Sequence, residues 1–142
     1  MYVRDKRSPV PKSETVSRVM SANRAKNTKP ELLLRKALWQ AGARGYRLHY
    51  KRVPGRPDIS FVSKKVAIFV NGCYWHRCPK CNYTIPKTNS KFWQTKFENN
   101  VARDERKRKE LRRLRWKVIT VWECDLKNRF TGTLSKILRA LN

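Results

Sequence analysis

The chain has 142 residues, 39% of them hydrophobic, which is enough for one buried core and too few for two. Its 35 Lys and Arg against 10 Asp and Glu leave a formal charge of +25, an excess that opposes compaction unless a polyanion neutralises it, so nucleic acid is the natural partner. No run approaches the roughly 20 apolar residues of a spanning helix, and the charged, proline-bearing start Met1–Lys12 lacks the apolar segment of a secretion signal, so a membrane role is not expected and a cytosolic setting is.

Residues 1–16 are polar and basic with Pro9 and Pro11, and read as a flexible N-terminal arm; residues 17–142 read as a single domain. From Val16 to Thr28 the chain is irregular, with a lone Met20 among polar and basic residues. Thr28-Lys29-Pro30-Glu31 has the form of a helix start: a Thr cap, Pro in the first turn and Glu three residues after the cap. Leu32 through Leu38 continue it, and Gly42 is a stop signal. Tyr46–Tyr50 predicts a short strand. The turn Pro54-Gly55-Arg56-Pro57-Asp58 then delivers Asp58 to the head of a second strand, Ile59–Val62. After Ser63-Lys64-Lys65, the apolar run Val66–Val70 predicts a strand buried on both faces. Residues 71–91 read as an irregular loop. A long helix is predicted from about Phe92 to Arg115, with Trp93, Phe97, Val101, Leu111 and Leu114 on its apolar side. A further buried strand over Lys117–Trp122 and a terminal helix over Leu134–Leu141 complete a mixed α/β sandwich around a small sheet.

Cys73, Cys78 and Cys81 form a C-x4-C-x2-C array, and Cys124 follows the Lys117–Trp122 strand. In a reducing compartment, three thiols within nine loop residues point to metal ligation rather than to disulfides or independent buried thiols. Four thiolates fill a tetrahedral Zn2+ shell and leave no position for water, so such a site is structural. His76 lies inside the array; if the thiolates suffice, its imidazole is available for chemistry. Phosphodiester hydrolysis needs a carboxylate to hold Mg2+ beside the scissile phosphate and a base to activate water. In so basic a chain, Asp58 at a strand head is the acid that stands out.

Taken together, GRPD (55–58), IFVNGCYWHRCPKC (68–81), FW (92–93), NVARD (100–104) and VWEC (121–124) resemble the very short patch repair (Vsr) endonucleases. The resemblance runs in order from about Val16 to Leu126. It implies the PD-(D/E)XK restriction-endonuclease-like fold, a three-layer sandwich with a central mixed sheet flanked by helices and a zinc loop. It also implies Mg2+-dependent nicking of double-stranded DNA 5′ to the mispaired thymine of a T:G mismatch. By the same resemblance, Asp58 is the main Mg2+ ligand, with the backbone carbonyl of Val70 beside it. His76 is the general base or proton relay, Asp104 orients it or binds metal-coordinated water, and Glu31 joins the water network. Cys73, Cys78, Cys81 and Cys124 match the zinc ligands. Asn71 departs from the His or acid common at that position. It cannot act as a base near neutral pH, but it can hydrogen-bond a phosphate or a water.

Tyr74, Trp75 and Trp93 resemble the family aromatics that intercalate beside the mismatch, and Met20 resembles a Met that enters from the minor groove. A mispaired step is a favoured point for such a wedge because it is easier to unstack. Of the adjacent Tyr74 and Trp75, only one is expected to face a core. Without the resemblance, Glu31 is explained as a capping acid and Asp104 as the i,i+4 partner of Arg108. His49 matches no motif and reads as a surface or strand residue. Arg103 through Arg115 hold eight basic residues against three acids, a stretch that suits either solvent or phosphates. The expected protein is a monomer associated with the nucleoid, with mismatch-repair proteins as candidate partners. Two alternatives stand beside it: a non-catalytic zinc-stabilised nucleic-acid-binding module, and a related nuclease with a different DNA-structure specificity.

Overall fold

The structure, a computed structural model, describes residues 27–142; the expected arm and Met20 lie outside the described residues. The first helix among the described residues, α1, spans Lys29–Gln40 and starts where the sequence indicates, with Pro30 in its first turn. Thr28 Oγ1 accepts the Glu31 N–H at 3.4 Å. β1 (Arg47–Leu48) and β2 (Ile59–Phe61) form an antiparallel pair with Leu48 opposite Ile59. β2 also pairs antiparallel with β3 (Val66–Asn71), which in turn runs parallel to β4 (Lys117–Trp122). The sheet order is therefore β1-β2-β3-β4. Between β3 and β4 runs the long helix α2 (Ser90–Arg113); α3 (Glu123–Asn128) and α4 (Phe130–Ala140) close the chain. No helix among the described residues is long and apolar enough to cross a membrane.

Side chains leaving the two faces of the sheet build two separate apolar layers. On one face Ile59, Val66, Ile68, Ile119 and Val121 meet Leu34 and Leu38 of α1 and Ile137 of α4. On the other, Ala67 packs with Leu111 of α2 and Trp116, joined by Phe69 and Val118. This alternation along β3 is what a strand covered on both sides requires. Leu34, Leu38, Ile59 and Ile68 are fully buried, each contributing roughly 1.5–3 kcal/mol by area.

Three sequence expectations change in detail. β4 lies at the sheet edge, so Ile119 and Val121 are buried while Lys117 is exposed. The terminal helix is preceded by the separate short helix α3 and starts at Phe130. In α2, Val101 and Leu114 are exposed. A 3.6-residue period carries the inward line from Trp93 and Phe97 through Asn100, Asp104 and Lys107 to Leu111, and leaves Val101 outside it.

Candidate active site and metal centre

The GRPD turn is fixed by close packing. Gly55 has φ +81, and a Cβ there would lie 2.9 Å from Lys107 Cβ and 3.1 Å from Phe69 Cζ. Only glycine lets the turn press against both α2 and β3. Beyond the turn, the Asp58 side chain takes over where the backbone ladder ends: the Val70 N–H donates to its Oδ2 at 2.7 Å. Burial, the largest influence, pushes the Asp58 carboxyl up to about 6 from its ordinary 3.8; the Val70 N–H opposes this, Glu31 adds to it and His76 opposes it. A carboxylate whose charge is this disfavoured is well suited to a cation.

Glu31 is 1% exposed. Its Oε2 accepts the Asn27 N–H at 2.5 Å, and its Oε1 has no hydrogen-bond partner. It thus serves the helix start only in part, and the free oxygen lines the same cleft as Asp58. Between the two carboxylates stands His49, which the sequence reading placed on the surface or in a strand. In fact it follows β1 with φ 50, its Nε2 3.4 Å from Glu31 Oε1 and its Nδ1 4.0 Å from Asp58 Oδ1. The missed signal was the hairpin register. With Leu48 opposite Ile59, residue 49 falls opposite residue 58, and the His49 N–H donates to the Asp58 carbonyl at 3.1 Å.

Across the cleft, His76 Nδ1 lies 2.7 Å from Asp104 Oδ2. Arg108, the alternative partner of Asp104, instead pairs with Glu105 at 2.9 Å. An Nδ1–H donated to the carboxylate leaves Nε2 as the acceptor. His76 and Asp58, contributed by separate segments, line one cleft of about 500 Å3, together with Glu31, His49, Asn71 and Asp104. Val70 contributes its N–H to Asp58 and lines the cleft, while Asn71 is buried at the end of β3. Arg103, Lys107 and Arg108 add positive charge to the wall.

The four cysteines converge as their spacing suggests. Their sulfurs lie within 4.8 Å of one another, with Cys78 Sγ and Cys124 Sγ 3.8 Å apart. That separation equals the edge of a tetrahedron with metal–sulfur bonds of about 2.3 Å, so the donor set fits Zn2+. The Cys124 N–H donates to Cys73 Sγ at 3.3 Å. Burial pushes Cys73 and Cys81 up; in Cys78 burial is outweighed by the backbone N–H groups of Lys80 and Cys81, and that thiol is lowered.

The loop that carries these thiols also carries the rings. Tyr74 and Trp75 are both half-buried and meet edge to face at 5.0 Å. Both pack against Trp93 and Phe97, contrary to the expectation that one would point away. That expectation rested on their adjacency in sequence, but residues 73–77 form a turn, which lets neighbouring side chains lie on one side. Trp93 is 9% exposed and stacks on Phe97 at 5.9 Å, behind the other two rings. The Arg77 guanidinium lies 4.2 Å over Phe97. Asn100 Nδ2 donates to the Trp75 carbonyl at 3.3 Å, tying the loop to α2 beside Asp104.

Known proteins similar to this chain fall in one family. The family described as "DNA mismatch endonuclease Vsr" matches residues 9–82. The type II nicking enzyme V.NmeAIP of Neisseria meningitidis serogroup A is 45% identical over 113 residues, covering 78% of this chain and 79% of that protein. The type II nicking enzyme V.XorIIP of Xanthomonas oryzae pv. oryzae is 41% identical over 121 residues, covering 85% and 87%. The DNA mismatch endonuclease Vsr of Escherichia coli K12 is 36% identical over 115 residues, covering 81% and 73%. The chain therefore belongs to the Vsr DNA mismatch endonuclease family and is a DNA endonuclease.

Proposed function

We propose that this endonuclease nicks one strand of duplex DNA 5′ to the mispaired thymine of a T:G mismatch, with Mg2+ at Asp58 and structural Zn2+ on Cys73, Cys78, Cys81 and Cys124. The observation that carries this reading is the His76–Asp104 pair facing Asp58 across one cleft. Such a pair provides a fixed imidazole acceptor on one side and a cation-seeking carboxylate on the other. The names of the relatives, type II nicking enzymes and a mismatch endonuclease, favour single-strand cutting over a purely binding role.

His76 takes the proton of the attacking water at Nε2, while Asp104 holds the ring in the required tautomer and stabilises the imidazolium that forms. Asp58, whose Oδ2 accepts the Val70 N–H, would hold the divalent cation, with the Val70 carbonyl as a second ligand in this reading, and Glu31 would order the surrounding water. The cation supplies Lewis-acid stabilisation of charge on the scissile phosphate when bound. Asn71 hydrogen-bonds a phosphate oxygen or a water, so proton transfer rests on His76. Arg103, Lys107 and Arg108 contact backbone phosphates along the cleft wall.

Tyr74 and Trp75 present the wedge that enters beside the mismatch, with Met20 approaching from the opposite groove; Trp93, expected from the resemblance to intercalate, is buried behind them and backs the wedge instead. In this reading the protein acts as a monomer, a single domain over 17–142 behind a basic arm, in the cytoplasm at the nucleoid. Mismatch-repair proteins act on the nick it leaves.

The test compares end-labelled duplexes with T:G or T:A at one position, with and without Mg2+, for wild type and Asp58→Ala. The reading expects one nick, on the thymine strand, only with T:G and Mg2+, and none with Asp58→Ala. Equal cutting of the matched duplex would remove the mismatch specificity, and undiminished cutting by Asp58→Ala would remove the active site.

A further inference from the structure

His49 has no role in the proposed mechanism, yet its ring stands between the two carboxylates that line the cleft. We propose that His49 is a direct nitrogen ligand of the divalent cation and that Glu31 binds it directly rather than through water, so that Glu31, His49 and Asp58 form a mixed nitrogen–oxygen site favouring Mn2+ over Mg2+. The cation is that of the proposed active site, and the inference rests on that reading only for its location.

Three observations carry it. One donor atom from each of the three residues lies within 4.8 Å of the others. The Glu31 Oε1 is buried and accepts no hydrogen bond, an arrangement costing on the order of 1–3 kcal/mol unless something else satisfies that oxygen. His49 Nε2, at 3.4 Å, is close enough to share a cation with it and makes no hydrogen bond to it. Finally, His49 is held in place by strained backbone. It adopts φ 50, and its N–H is bound to the Asp58 carbonyl at 3.1 Å. A left-handed conformation at a non-glycine residue costs roughly 1–3 kcal/mol and persists where surrounding contacts enforce it. The result is a ring aimed at two carboxylates rather than at solvent. Around the ring, the Asn27 Oδ1 lies 3.5 Å from Nε2, and Arg35 donates to that same oxygen at 3.2 Å.

The chemistry follows from ligand type. Mg2+ takes oxygen ligands and keeps its waters, whereas imidazole increases affinity for first-row transition ions. A competing arrangement has the same geometry: a protonated His49 acting only as counter-ion to Glu31 and Asp58. That imidazolium would repel a cation from the nitrogen, and the two arrangements give opposite spectra.

Mn2+ is the probe, because thiolates prefer softer ions and the cysteine cluster leaves Mn2+ to the oxygen–nitrogen site. The zinc-loaded full chain is titrated with Mn2+ and Mg2+, and the Mn2+ complex is examined by electron spin echo envelope modulation. Directly bound 14N modulation is expected in wild type. It should persist in His76→Gln and vanish in His49→Gln at Mn2+ concentrations that restore occupancy. Mn2+ affinity should fall at least about tenfold in His49→Gln, while Mg2+ affinity changes less than about threefold. Wild type grown with 15N-histidine should show the modulation at the 15N frequency, a check that needs no variant to fold. Absence of nitrogen modulation in wild type, or its persistence in His49→Gln, would overturn the assignment. These spectra do not depend on cutting: nitrogen ligation in a protein that fails the mismatch assay removes the proposed function and leaves the metal site standing.

Discussion

Asp58→Asn is expected to stabilise the protein in the absence of added divalent cations, and to do so in a pH-dependent way. In the fold the Asp58 carboxyl is raised to about 6, chiefly by burial, against 3.8 in an ordinary setting. A group raised in the folded state contributes stability that is fully present below the unfolded value and lost as pH rises through the folded one. Here the loss runs from about pH 3.8 to about pH 6. The full span is about 2.2 pH units, or roughly 3 kcal/mol. Between pH 5.0 and 7.5 the linkage relation leaves roughly 1.4 kcal/mol of it. The side chain is 21% exposed, so most of that figure should survive solvent screening. Asparagine keeps an acceptor for the Val70 N–H and carries no charge at any pH.

Thermal unfolding of wild type and Asp58→Asn at pH 5.0 and 7.5, in zinc-containing buffer without Mg2+, isolates the effect. Zinc-site titration is common to both proteins and cancels in the comparison. The melting-temperature advantage of Asp58→Asn should grow by about 4 °C between the two pH values for a domain of this size. Saturating Mg2+ should reverse the order by stabilising wild type alone. An advantage that is flat with pH, or a wild type that is the more stable at pH 7.5 without Mg2+, would refute the claim that an uncompensated buried carboxylate sits at this strand head.

Gly55→Ala should destabilise the fold by roughly 1–3 kcal/mol, because its Cβ would meet the Lys107 Cβ and the Phe69 ring at a positive φ; urea denaturation measures this. Nicking should fall at least about tenfold beyond the loss of folded protein, since the same turn positions Asp58. Asp104→Asn should lower kcat by about 10²-fold with KM changed less than about twofold, since the amide no longer fixes the His76 tautomer; single-turnover cleavage assays separate the two constants. Cys73→Ser should reduce bound zinc from about one per chain and lower the melting temperature, read by metal analysis and calorimetry. A variant that keeps full zinc and full stability would show that Cys73 is not a ligand.

Much of the fold was legible because its signals are local. The Thr28 cap with Pro30 and Glu31 started α1 at the expected place, and the apolar run after Lys65 gave a strand covered on both faces. The four cysteines were legible because their sequence spacing is itself the ligand pattern. The partner of Asp104 was less so, since Arg108 satisfied a helical spacing rule and His76 lay 28 residues away. His49 was missed because its place between the carboxylates depends on strand register, a long-range property, and on a left-handed backbone that is uncommon for any residue but glycine. The aromatic pair was misjudged because adjacency in sequence was taken to part the two rings, whereas the turn over 73–77 brings both to one side.

The parallel pairing of β3 and β4 explains why the metal cluster and the cleft adjoin. Parallel strands end on the same side of a sheet, and ligands of α/β proteins gather there. Asn71 and Trp122 are the last pair of the ladder. Two residues further along each strand stand Cys73 and Cys124, still close enough for the Cys124 N–H to reach the Cys73 sulfur. Past the ladder, backbone hydrogen bonds no longer hold the two segments together, and four converging thiolates provide the next fixed joint. His76 lies between the first and second of the four cysteines along the chain, after Cys73 and before Cys78, and its backbone N–H bonds back to the Gly72 carbonyl at 3.2 Å. The imidazole is thus held from one side by the thiolate cluster and from the other by Asp104 of α2, while Asp58 and Val70 belong to the sheet itself. A carboxylate on the sheet and an imidazole on a loop braced by the cysteine cluster can then keep a constant separation without either residing in the hydrophobic core.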